Sequence, residues 1–139
     1  MPALPWKRLA ETDPDREYVV VATYIPVRHV VKLPEFWSNV RKIVKQLNSS
    51  DGLVGYSLLA RPFRSDYWTL SAWESDEAVR RFAETEPHRS IAPRITSFSE
   101  VGFDLAKWTA VGRDLPPRWD KAVGLKLKGP DADNASRRG

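Results

Sequence analysis

Apolar positions in this chain fall into four short β-like runs and two helical stripes. Glu17 to Ile25 (EYVVVATYI) is β-branched and aromatic and is closed by Pro26, which predicts a strand. After Leu33-Pro34-Glu35, the residues Phe36, Trp37, Val40, Ile43, Val44 and Leu47 trace one stripe of an amphipathic helix, with Arg41, Lys42 and Lys45 outside it. Asn48-Ser49-Ser50-Asp51-Gly52 ends that helix. A second strand is expected from Leu53 to Arg61 and a third from Tyr67 to Trp73, joined in a hairpin by the turn from Pro62 to Asp66. Ser75 then caps a second helix with Asp76 and Glu77 in its first turn and Ala78, Val79 and Phe82 inward, reaching Glu84 or Thr85. Pro87 to Ala92 reads as a kinked continuation, and a fourth strand is expected from Ile95 to Phe103.

Strand, helix, strand, strand, helix, strand is the ferredoxin-like α+β order βαββαβ, an antiparallel sheet with two helices on one face. The domain is expected to span residues 17–104, after an extended lead-in at 1–16. Residues 105–127, with Trp108 and Trp119, are too apolar for a free tail and predict a strap packed on the domain or dimer; residues 128–139 predict a disordered tail.

A sheet with one wet face should alternate apolar and polar residues, and these strands do not. Val19, Val21 and Ile25 oppose Tyr18, Val20, Ala22 and Tyr24; Leu53 and Leu59 oppose Val54, Tyr56 and Leu58; Trp68 and Leu70 oppose Tyr67 and Trp73. Two oily faces predict a sheet-to-sheet homodimer, with coverage by the C-terminal strap as the alternative.

Composition narrows the chemistry. The 139 residues include no cysteine, which excludes disulfides and thiolate catalysis, and only two histidines, which disfavours an all-histidine metal site. The net charge of +4 lies entirely in the C-terminal part, since residues 1–104 hold equal numbers of each sign, so a phosphate-tracking basic groove is not expected. No apolar run is long enough for a membrane span and the first residues lack a secretory pattern, so cytoplasmic residence is the expectation. Walker, GxGxxG, GxSxG and HExxH motifs are absent.

The run Gly52-Leu53-Val54-Gly55-Tyr56-Ser57-Leu58, then Trp68-Thr69-Leu70-Ser71-Ala72-Trp73-Glu74-Ser75, then Ala78, Phe82 and Pro87-His88, resembles the antibiotic-biosynthesis-monooxygenase-like superfamily over about residues 17–104. The resemblance implies a dimeric α/β barrel. It also implies activities that include cofactor-independent oxygenation of polycyclic phenols and haem degradation. The haem-degrading branch carries an Asn late in strand one, a Trp in helix two and a His after it; the matching places here are Thr23 or Tyr24, Phe82 and about Ala92, so that triad is missing. Haem ligation by His88 in another manner stays open.

Oxygenation without a cofactor needs a dry aromatic cavity, a proton acceptor and a donor for developing oxygen charge. His88 is the candidate base, Tyr24 or Arg28 the candidate donor, and Trp37, Trp68, Trp73, Phe82 and Phe98 the candidate walls. Each also has a structural reading: core packing for the aromatics, helix-end electrostatics for His88, solvated loop positions for Arg28 and His29. The expectation is therefore a monooxygenase acting on an aromatic or polycyclic phenol or hydroquinone without a cofactor. The alternatives are a non-catalytic binding or assembly module on the same scaffold and a haem-binding protein.

Overall fold

A computed structural model describes residues 5–27, 32–61, 66–97 and 104–118. Strands β1 (Lys7–Arg8), β2 (Glu17–Pro26), β3 (Leu53–Arg61), β4 (Asp66–Trp73) and β5 (Asp104–Val111) and helices α1 (Leu33–Leu47), α2 (Asp76–Glu84) and α3 (His88–Thr96) follow one another as β1-β2-α1-β3-β4-α2-α3-β5. The sheet is antiparallel throughout and ordered β1-β3-β4-β2-β5. Without the two-residue edge strand β1, this is the ferredoxin-like arrangement.

Local chemistry accounts for most of these elements. β2 alternates strictly, with Tyr18, Val20, Ala22 and Tyr24 buried on one face and Val19, Val21 and Ile25 half-buried on the other. Pro34 sits in the first turn of α1, where a missing N–H costs nothing. The Ser75 hydroxyl accepts from the Ala78 N–H at 3.1 Å, the expected cap of α2. All three helices lie on one face: Phe36, Ile91 and Ile95 pack with Val27 and Tyr67, while Leu47 and Ala78 pack with Leu53, Tyr56 and Trp73.

The structure corrects four expectations. In β3 a bulge between Leu53 and Gly55 resets the alternation, so Leu53 shares the helix-covered face with Tyr56 and Leu58, and Val54 joins Leu59 on the far face. The stretch from Pro87 is a third helix, not a kinked end of the second, and it contains Pro93 and Ile95. Ile91 and Ile95, one turn apart, bury into the core beside Phe36 and Tyr67, and this packing outweighs the local breaking tendency of Pro93. Ile95 and Thr96 of the expected fourth strand are thus helical, its residues 98–103 lie outside the described residues, and the described sheet strand after α3 is Asp104–Val111, in which residues 105–111 of the expected strap pair with β2. Residues 119–127 of that strap and the tail at 128–139 lie outside the described residues.

The fourth correction concerns the far face of the sheet. Tyr18, Val20, Ala22, Trp68, Leu70 and Ala72 are buried within a single chain, and Trp6 and Leu115 pack on them. Trp6 of the expected lead-in thus packs on the sheet. Gly55 permits this cover, because a Cβ there would stand 2.5 Å from the Trp6 ring. One copy already hides the surface that was expected to require a second, so pairing of two sheets does not follow from apolar burial.

Candidate functional site

The helix-covered face is the looser of the two, and a cavity of about 240 Å³ lies between it and the helices. Its floor is set by strand register: Val21, Thr23 and Ile25 point to it from β2, and Thr69 and Ser71 sit opposite on β4, where Thr23 pairs with Thr69 and Val21 with Ser71. Ile43 and Leu47 of α1, Val79 and Phe82 of α2, and His88 and Ile95 of α3 close it from above. Leu105 of β5 lines it while remaining 57% exposed, marking the side where the cavity meets solvent. Among the described lining residues His88 is the sole ionisable group apart from the Tyr56 phenol.

His88 opens α3 directly after Pro87, and its position is fixed from three sides. Its Nδ1 is 3.1 Å from the Ala83 carbonyl oxygen, so Nδ1–H donates and Nε2 is the nitrogen left to accept a proton. Its ring packs on Phe82 at 4.7 Å between centroids, and Phe82 packs on Trp73 at 5.2 Å. Its backbone N–H donates to Gln46 Oε1 at 2.8 Å, while Gln46 Nε2 donates to the Phe82 and Thr85 carbonyls, each at 3.2 Å. Burial pushes the His88 pKa below its ordinary value, with the Ala83 hydrogen bond opposing in part, which favours the neutral imidazole.

The cavity thus unites three of the expected site residues: His88, Trp73 and Phe82. Tyr24 is not among them. Alternation along β2 turns it to the far face, where its hydroxyl donates to Asp66 Oδ1 at 2.6 Å. Trp68 likewise belongs to the far-face cluster, its ring 5.2 Å from that of Tyr24. Trp37 and Trp68 both line a second cavity, of about 270 Å³. Arg28, His29 and Phe98 lie outside the described residues. Sequence reasoning missed Gln46, which reads as one more polar residue on a helix, and Thr69, which reads as an ordinary strand residue; Thr23 entered it only as one of two places for the missing Asn.

Of the places matched by resemblance to the haem-degrading triad, Thr23, Phe82 and Ala92 line the cavity and Tyr24 does not. These residues do not fit haem degradation by that triad. The cavity is also below the roughly 300–1,000 Å³ common for drug-sized ligands, and a macrocycle needs more. No group of three or more potential metal ligands occurs among the described residues. No helix among them is long and apolar enough to cross a membrane.

No family model matches the chain, nor does any curated protein. Solved structures do. SnoaB, a cofactor-independent oxygenase from Streptomyces nogalater, is similar in a mutant form with a TM-score of 0.53 and 17% identity, over 73% of this chain and 98% of that one. A protein described as an antibiotic biosynthesis monooxygenase gives 0.59 at 15% identity, over 68% and 98% of the two chains. A conserved protein from Methanosarcina mazei Go1 gives 0.60 at 12% identity, over 66% and 90%. At such identities the likeness is one of backbone, which is what the sheet order and helix placement describe as well. The chain has the α+β fold of the antibiotic-biosynthesis-monooxygenase-like proteins.

Proposed function

We propose that the protein is a monooxygenase that needs no cofactor and oxidises the reacting ring of a phenol, hydroquinone or anthrone seated beside His88. The observation that supports this reading is the placement of His88: an imidazole in an apolar, ring-lined cavity, with Nδ1–H engaged by a carbonyl, Nε2 left to act as a base, and burial favouring its neutral form. Such a substrate gives up a proton to Nε2. Its carbanion passes one electron to dioxygen, and the substrate radical and superoxide couple to form a carbon–oxygen bond. The proton returns to the peroxide oxygen, and loss of water leaves a carbonyl group. The donors for the developing oxygen charge are the Thr23 and Thr69 hydroxyls, cross-strand partners on the cavity floor, in place of Tyr24.

Oxygen uptake with a panel of anthrones and hydroquinones tests the reading. Wild type should exceed the uncatalysed rate, and His88→Ala should lose about 100-fold or more, the usual contribution of a positioned base. Uptake no faster than background, together with a rise in melting temperature on adding the same compounds, would instead identify a binding module without catalysis. A Soret band on adding hemin that disappears in His88→Ala would speak for a haem-binding protein.

A further inference from the structure

The second cavity, about 270 Å³, runs on from the first along the groove between α1 and the sheet. Ile25, Leu58 and Thr69 belong to the walls of both. Along α1, Phe36 and Val40 wall the second cavity and Ile43 and Leu47 the first. Each pair is seven residues from its counterpart, so the two chambers are offset by about 10 Å at 1.5 Å rise per residue. Aromatic rings dominate the second chamber: Phe36 and Trp37 meet edge to face at 5.3 Å, Trp37 and Tyr67 likewise at 5.3 Å, and Phe36 and Tyr67 at 4.8 Å. No Asp, Glu, Lys, Arg or His occurs among its described lining residues.

We infer that the two cavities form one elongated binding site, whose ligand has a reacting aromatic ring beside His88 and a second, uncharged apolar ring or chain beside Trp37. An apolar void of about 150 Å³ already takes a benzene ring, so either chamber holds one ring and neither holds an extended polycycle alone. Void space of this kind weakens a core in proportion to its volume, and a ligand occupying it restores the lost packing. Trp37, 39% exposed although it belongs to the apolar stripe of α1, is placed where an incoming ring would cover it. The chemistry of the lining selects against phosphate, carboxylate or sugar at this end, since a charged group would be desolvated with nothing to pair it. Which end of the ligand reacts rests on the proposed role of His88; the elongated site itself rests on the cavities.

Calorimetric titration with phenol and 4-phenylphenol, two rings long, separates the chambers without any turnover. Wild type should bind 4-phenylphenol at least about tenfold more tightly than phenol, and Ala60→Leu, which fills the second chamber alone, should remove most of that gain while changing the phenol Kd by less than about twofold. Ala92→Leu, in the first chamber alone, should weaken both. Equal affinity for the two compounds, an unchanged 4-phenylphenol Kd in Ala60→Leu, or an equal loss for both compounds there would overturn the elongated site. If Ala60→Leu loses its native circular dichroism, Val40→Phe fills the same chamber from α1 and is read by the same criteria. Absent oxygen uptake with the expected binding pattern would remove the oxygenase reading alone; uptake with compact substrates and no binding advantage would remove the second chamber alone.

Discussion

Gln46 Oε1 accepts the His88 backbone N–H at 2.8 Å, so a side chain of α1 satisfies the first turn of α3. The same amide donates to the carbonyls of Phe82 and Thr85 at the end of α2. One residue thereby clamps the joint on which the candidate base stands. Gln46→Met keeps the length and removes all three hydrogen bonds, and it should cost about 1–3 kcal/mol of stability by urea denaturation. If the joint positions His88, its imidazole NMR titration should also move towards that of a free histidine, which a loss of stability alone would not cause.

The pH response of His88 follows from its lowered pKa. Between about 6.5, the value for an unfolded histidine, and the lower folded value, the unfolded chain binds a proton that the folded chain does not. Stability should therefore fall as pH drops through that window and be indifferent to this group above it. Urea midpoints at pH 7.5 and 5.0 for wild type and His88→Gln check this: the difference between the two pH values should be smaller in the variant. Oxygen uptake, where present, should fall on the acid side as Nε2 becomes protonated.

Tyr24 and Asp66 form a buried pair on the side of the sheet away from the cavity, with Asp66 1% exposed. Tyr24→Phe removes the hydroxyl that Asp66 Oδ1 accepts from and should lower stability by about 1–3 kcal/mol. It should leave ligand affinity and any oxygen uptake within about twofold of wild type, since the ring stays on the far face. A large loss of turnover in a fully folded Tyr24→Phe protein would return this tyrosine to the site.

Gly52 turns the chain from α1 into β3 with φ of 83°, and a Cβ there would stand 2.6 Å from that of Ala78. Its carbonyl also accepts from the Glu74 N–H at 2.8 Å. Gly52→Ala meets both a left-handed backbone and the start of α2, so a loss of about 1–3 kcal/mol is expected in thermal or urea unfolding.

Five of the elements could be read from the chain because their signals are local: the β-branched run of β2, the stripe of α1, the hairpin of β3 and β4, and the Ser75 cap of α2. The readings that failed depend on distant partners. Ile95 looks like the start of a strand until Phe36 and Tyr67 are in place to receive it with Ile91 as a helical pair. The strand that does complete the sheet carries its own alternation, Ala106, Trp108 and Ala110 against Leu105, Lys107 and Thr109, yet it reads as a strap while Ile95 is assigned to the sheet. The bulge at Val54 reverses the facing of Leu53 and Val54 relative to the rest of β3, and the residues themselves give no sign of it.

By itself the sequence determined that this chain makes a ferredoxin-like α+β domain with more apolar sheet than two helices can cover, because hydrophobic period and capping are properties of neighbouring residues. Tertiary structure decided the rest. Strand parity sent Thr23 to the cavity and Tyr24 to the far face, the chain's own Trp6 and Leu115 settled on the sheet face expected to need a partner, and Gln46 reached across a helix interface to hold His88. Side-chain direction and contact across the fold are set by register and packing among residues far apart in the chain, which no local pattern records.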